Sequence, residues 1–151
     1  MNHVLVLGIG NRLMMDDGIG IYLTEELQGR NKEPRITYLV GESDIDFCLD
    51  QMEDEKFLII LDAVYTDKPP GTVSLFSLAD LSQHQPLQLS PHNLHLFHMF
   101  SQKNCSIKGL LIGIEPHDIN FHLGLSPVLL EKWLTILQKV ETLIHDLVME
   151  G

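Results

Sequence analysis

Short apolar runs alternate along the chain with stretches whose apolar residues recur every three or four positions. Residues 4–7 (Val-Leu-Val-Leu) form a continuous run of apolar, mostly branched side chains, which predicts a parallel strand buried on both faces. Helical spacing then predicts helix one over residues 17–28, stopped by Gly29. Residues 35–40 alternate and end at Gly41, giving strand two. Residues 44–52 predict a short helix capped by Ser43 or Asp44, and Glu53-Asp54-Glu55 reads as a solvated turn. The run 57–61 predicts strand three, buried on both faces and closed by Asp62. Pro69-Pro70-Gly71 is a turn, and 72–78 alternates as strand four. Strand four follows too closely on strand three for a helical crossover, so an antiparallel course is expected.

Further along, residues 79–90 read as irregular surface loop. Pro91 and His92 open a helix to about residue 102, Pro91 suiting the first helical position. Residues 107–114 predict strand five, and 115–124 a loop. Ser126 caps and Pro127 opens a last helix with Leu129, Leu130, Trp133, Ile136, Leu137, Val140, Ile144, Leu147 and Val148 in an amphipathic pattern. Strands and helices mostly alternate, which predicts an α/β fold: a mainly parallel sheet covered on both faces, in one domain spanning residues 1–151.

Charge narrows the partners. Twenty-one acids against ten bases give a net charge of −11, which argues against binding a phosphate backbone and suits a cationic or metal-bearing partner. The two cysteines, Cys48 and Cys105, stand far apart with no Cys-x-x-Cys pattern, so two buried thiols in a reduced, cytoplasmic setting are expected. No basic segment precedes an apolar run at the N-terminus, and no run approaches the length of a membrane span, so neither secretion nor membrane insertion is expected.

The candidate chemistry begins after strand one. Gly8 and Gly10 allow a sharp turn, but Leu13 occupies the place of the third glycine of a dinucleotide fingerprint. Adjacent Asp16 and Asp17 would repel a pyrophosphate, and no Lys-Ser or Lys-Thr pair follows. Two readings of this stretch stand: the glycines serve a turn with Asp16 as a helix cap, or the acids sit at a ligand-binding sheet edge. If strand two lies beyond strand one and strand three on its other side, the strand order reverses between strands one and three. The crevice there would hold Asp17 and Asp62, and the loop after strand four could bring His92 over it. Such a set suits a divalent first-row metal, or acid–base work by two carboxylates with separated pKa values. Of the other histidines, His95 and His98 read as partly exposed helix positions. His117 and His122 read as loop surface, with His122 an alternative lining for a cleft. Met14 and Met15 read either as an adaptable apolar rim or as packing.

The pattern Gly8-Ile9-Gly10-Asn11-x-Leu13-x-x-Asp16-Asp17-Gly18-x-Gly20, then Leu61-Asp62-Ala63, then Ser90-Pro91-His92, resembles the hydrogenase maturation proteases. The likeness covers nearly the whole chain and includes Pro69-Pro70-Gly71-Thr72, Gly113-Ile114-x-Pro116 and Gly124-Leu125-Ser126-Pro127. It implies a three-layer sandwich around a five-stranded mixed sheet, order 2-1-3-5-4, with strand four antiparallel. It implies an aspartyl-type endopeptidase that trims the C-terminal extension of a nickel–iron hydrogenase large-subunit precursor. Its implied metal-binding and catalytic residues are Asp17, Asp62 and His92, with Asp16 capping the helix or hydrogen-bonding the loop. Nickel would be carried by the substrate, with no permanently bound cofactor. The other functions weighed are a non-cleaving nickel checkpoint or chaperone, and a metal-dependent hydrolase of another substrate. Two departures stand out. Gly41-Glu42-Ser43-Asp44-Ile45-Asp46 replaces the Gly-Gly-Thr segment common after strand two, and Asp17 stands where glutamate is common, one methylene shorter.

Overall fold

Every residue of β1, Val4–Gly10, is buried, as the apolar run requires of a strand flanked on both sides. The structure is a computed structural model that describes residues 3–42, 57–78 and 108–150. After β1 come a 3-10 turn (Met15–Gly18), α1 (Ile19–Arg30), β2 (Ile36–Glu42), β3 (Phe57–Ala63), β4 (Val73–Ser77), β5 (Gly109–Ile114), α2 (Pro127–Glu131) and α3 (Trp133–Met149). The five strands form one sheet in the order β2-β1-β3-β5-β4. Pairing is parallel from β2 through β5, and β4 runs antiparallel to β5, as the short connection from β3 demands. The order reverses between β1 and β3, so their C-terminal ends flank a switch point, where open α/β sheets bind ligands.

One face of the sheet, carrying Val4, Val6, Ile59, Leu61 and Ile112, packs with Leu23 and Leu27 of α1 and with Ile136, Val140 and Ile144 of α3. On the other face Leu5, Leu7, Ile9, Leu58, Ile60 and Leu111 are equally buried. By alternation Asp62 belongs to this second face, with Leu58 and Ile60. Among the described residues no helix is long and apolar enough to cross a membrane.

Several boundaries differ from the sequence reading, each for a local reason. β1 continues to Gly10 and β3 to Ala63, because pairing persists: Gly10 opposite Glu42, and Asp62 opposite Gly113. Asp62 therefore lies within the strand rather than beyond it. Helix one begins at Ile19, because the acidic residues are taken up by the preceding 3-10 turn. The last helix is two helices, interrupted at Lys132 (φ −96, ψ 4), whose Nζ donates to the Pro70 carbonyl at 2.9 Å. Its start is as expected, with Ser126 Oγ accepting from the Leu129 N–H. The helix expected over 44–52, the turn at 53–55, the loop over 79–90 and the helix over 91–102 lie outside the described residues, as do Cys48 and Cys105.

Two glycines set how closely α1 approaches the sheet. A Cβ on Gly20 would lie 2.1 Å from the Leu61 carbonyl oxygen and 2.8 Å from that of Ile9. Gly10, at φ +148, would place a Cβ 2.1 Å from the Asp17 carbonyl oxygen. Backbone thus meets backbone at the point where Asp17 and Asp62 enter. Gly20→Ala is expected to destabilise the protein by about 3 kcal/mol in urea unfolding, since the obstacle is backbone and cannot rotate away. Gly29→Ala, in the same helix with nothing within 4 Å of the new methyl, should instead be neutral or stabilising.

Candidate active site

The turn after β1 carries three successive residues of different character. Met15 has φ +48, a left-handed conformation that a side chain beyond glycine adopts at a cost of about 1–3 kcal/mol. It is held there by its neighbours. The Met15 N–H donates to the His122 carbonyl at 3.0 Å, the His122 N–H to the Leu13 carbonyl at 2.8 Å, and the Asp16 N–H to the Asp118 carbonyl at 3.1 Å. The turn is thereby laced to the loop after β5, with Met14 and His122 paired in parallel.

Asp16 is fully buried, and its carboxylate gathers that loop. It accepts from the backbone N–H of His117 (2.9 Å), Asp118 (2.8 Å) and Ser126 (2.7 Å) and from Ser126 Oγ (2.8 Å). Of the two sequence readings for this residue, loop bonding is the observed one. It does not cap α1, whose start has no side-chain cap.

Asp17 follows at 6% exposure, on the last stretch of the 3-10 turn. Asp62 enters from β3, is fully buried, and neither of its carboxyl oxygens has a hydrogen-bond partner among the described residues. Burial raises its pKa well above the ordinary carboxyl value, and the negative charge of Asp17 raises it further. The Ala63 backbone N–H acts in the opposite direction without satisfying either oxygen. A carboxyl group stored dry, beside a second one, is costly for folding and useful for chemistry: it takes a proton readily and welcomes a cation.

Two further residues complete this edge, and sequence reading passed over both. Glu115, just past β5, is buried and accepts from the Thr66 N–H at 2.9 Å and the Thr66 hydroxyl at 2.5 Å, fixing the segment after β3. Tyr65 is exposed there, and its phenol pKa is raised by burial, then by Asp17, Asp16, Glu115 and Asp118. The phenol therefore keeps its proton to a higher pH than an isolated tyrosine. The signal for Glu115 was its place at a strand's C-terminal tip, shared with Asp62; Tyr65 has no sequence signal.

The C-terminal ends of β1 and β3 thus bring Asp17 and Asp62 together. His92, His95 and His98 lie outside the described residues. His117 and His122 are exposed, as expected of loop positions. Met15 is buried, so it packs rather than forming a rim, and Met14 is half-buried. Among the described residues no three His, Cys, Asp or Glu side chains form a ready metal-binding group.

Comparison with known proteins identifies the family. The family model for hydrogenase maturation protease matches residues 21–143. The chain belongs to the hydrogenase maturation protease family. It is 30% identical over 132 residues to the hydrogenase 2 maturation protease of Escherichia coli strain K12, covering 83% of this chain and 80% of that one. Its fold superposes on the hydrogenase maturating endopeptidase HybD from E. coli with a TM-score of 0.79 at 26% identity, covering 95% and 93% of the two chains. An E. coli endopeptidase solved in solution gives 0.76 at 30% identity, covering 91% and 89%. The protein is therefore an endopeptidase of the hydrogenase-maturation type, with the layered α/β fold of that family. Asp62 and position 92 fall within the stretch matched by the family model, and Asp17 just before it.

Within this hydrogenase maturation protease, Asp16 and Asp62 should respond to mutation in opposite ways. Asp16→Ala strands three backbone N–H groups and a hydroxyl, and should cost about 3 kcal/mol of stability or more; Asp16→Asn, which keeps one acceptor, should cost less. Asp62→Asn should be more stable than wild type at neutral pH. A folded-state pKa above the unfolded one means wild-type stability is greatest below the ordinary aspartate value of about 4 and falls as pH rises through the raised value. The stability difference between the two proteins should therefore close below about pH 4. Denaturant midpoints across pH measure both effects.

Proposed function

We propose that this endopeptidase removes the C-terminal extension of a nickel–iron hydrogenase large-subunit precursor, and does so after nickel has entered that precursor. Nickel held by the substrate is completed in its coordination by Asp17, Asp62 and His92 as the two proteins dock. The observation that carries the reading is Asp62: a buried carboxyl group with no hydrogen-bond partner among the described residues, beside Asp17 at the reversal of strand order. In the free enzyme Asp62 is buried without a hydrogen-bond partner among the described residues, and a proton on it relieves its repulsion from Asp17. A divalent ion supplies the same relief more fully, so both carboxyls ionise against it and the proton leaves to water.

Nickel thereby acts as the token of a loaded precursor, since a metal-free one brings no cation for the buried Asp62 carboxylate. Docking fixes the scissile bond near these side chains, and holding the reactants in place is worth orders of magnitude in rate. Hydrolysis then needs a water to attack the peptide carbonyl and the amide nitrogen to gain a proton. A carboxylate of the pair can take the water's proton, and the nickel can polarise the carbonyl. The −11 net charge and the acidic edge suit a client that presents a cation.

The test is incubation with nickel-loaded and metal-free precursor, followed by mass spectrometry of the large subunit. Shortening of the loaded form alone is expected; equal cutting of both forms would remove nickel from the recognition step. Asp17→Ala, Asp62→Ala and His92→Ala should each slow processing by about a hundredfold or more, and His98→Ala should leave it close to wild type. A loss at His98 equal to that at His92 would move the histidine role.

A further inference from the structure

The loop after β5 carries large apolar side chains in the open. Phe121 is 81% exposed, Leu123 66%, and Leu13, on the turn it pairs with, 50%. The parallel pairing of Met14 with His122 sets Leu13 beside Phe121 and Met15 beside Leu123. These residues are not on a free strand of chain. The loop is tied by the backbone bonds from Met15, Asp16 and His122, and by the four bonds into the Asp16 carboxylate. The same turn ends in Asp17, and Leu13 precedes Asp17 by four residues, so their Cα atoms stand no more than about 15 Å apart. An apolar rim is therefore held in fixed register with the candidate active site. Holding such side chains in water on a fastened loop gains the fold nothing, and a contiguous exposed apolar surface marks a place where a partner sits.

We propose that Leu13, Phe121 and Leu123 form the docking rim for the precursor segment flanking the scissile bond, and that this segment is apolar and poor in carboxylates. The proposal rests on the protease reading above and extends it to the substrate chain. The occupant follows from continuity: an endopeptidase must lead a peptide to its reacting side chains, and this rim is built on the backbone that presents Asp17. The avoidance of carboxylates follows from charge. Asp118 lies on the rim's own loop, and Asp17, Asp16, Glu115 and Asp118 all act on the exposed Tyr65 phenol, so an acidic segment crossing this edge would be repelled. Asp16 acts here by holding the rim in place, not by touching the substrate.

The experiment measures two things on the same proteins: the Kd for nickel-loaded precursor, and the rate of its shortening at saturating concentration. Wild type is compared with Phe121→Ser, Leu123→Ser, the double variant, and Leu134→Ser as a control at another exposed leucine, 76% exposed on α3. The double variant should bind about tenfold more weakly, cut at nearly the wild-type rate when saturated, and unfold at the wild-type denaturant midpoint. Leu134→Ser should change none of these. Wild-type affinity in the double variant overturns the rim. So does a wild-type dimer in sedimentation that the double variant dissolves, since the rim's occupant is then a second copy. If wild type binds the precursor and does not cut it, while the double variant binds more weakly, the rim stands and the protease reading fails. If wild type cuts and the double variant binds as well, the reading stands and the rim fails.

Discussion

The site depends on how closely one helix backbone approaches two strands. Gly20 of α1 lies against the carbonyls of Ile9 and Leu61, and Gly10 lies against that of Asp17. The nearest atoms at these points are backbone, so the turn holding Asp17 and the strand holding Asp62 meet the helix in direct backbone contact. The consequence is electrostatic. Two carboxyl groups end up in one dry recess, one of them without a hydrogen-bond partner among the described residues, and the fold bears the cost of keeping them there.

The neighbouring aspartates, adjacent in sequence, have opposite fates. Asp16 is turned into the protein and satisfied by four donors from the loop after β5. Asp17 joins the acidic recess whose charge acts on Asp62 and Tyr65. The strained Met15 between Met14 and Asp16 is the hinge of this division, and three backbone bonds across to the loop hold it. One buried carboxylate thus steadies the scaffold, and the next lends its charge to the recess around Asp62.

Much of this was legible in the sequence, and the reasons are physical. Continuous apolar runs at 4–7 and 57–61 marked central parallel strands, and the short link through Pro69-Pro70-Gly71 forced β4 to turn back. Acids at strand ends are common, so Asp17 and Asp62 stood out only through the expected reversal of strand order and the likeness of their motifs to the family. What stayed hidden depends on contacts between distant segments. The extension of β3 through Asp62 comes from pairing with β5, and the break at Lys132 comes with its reach to Pro70, which helical periodicity does not register. The exposed rim around Phe121 was invisible for the same reason: exposure of an apolar residue in a loop is a property of the folded surface, not of spacing.

The central claim is that Asp17 and Asp62 share one recess, in which burial and the Asp17 charge hold the proton on Asp62. Its most direct measurement is the carboxyl carbon resonance of Asp62, followed through a pH titration in wild type and in Asp17→Asn. The account predicts a midpoint well above the ordinary aspartate value in wild type, moving down when the neighbouring charge is removed. An ordinary midpoint in wild type, or one unmoved by Asp17→Asn, would contradict it.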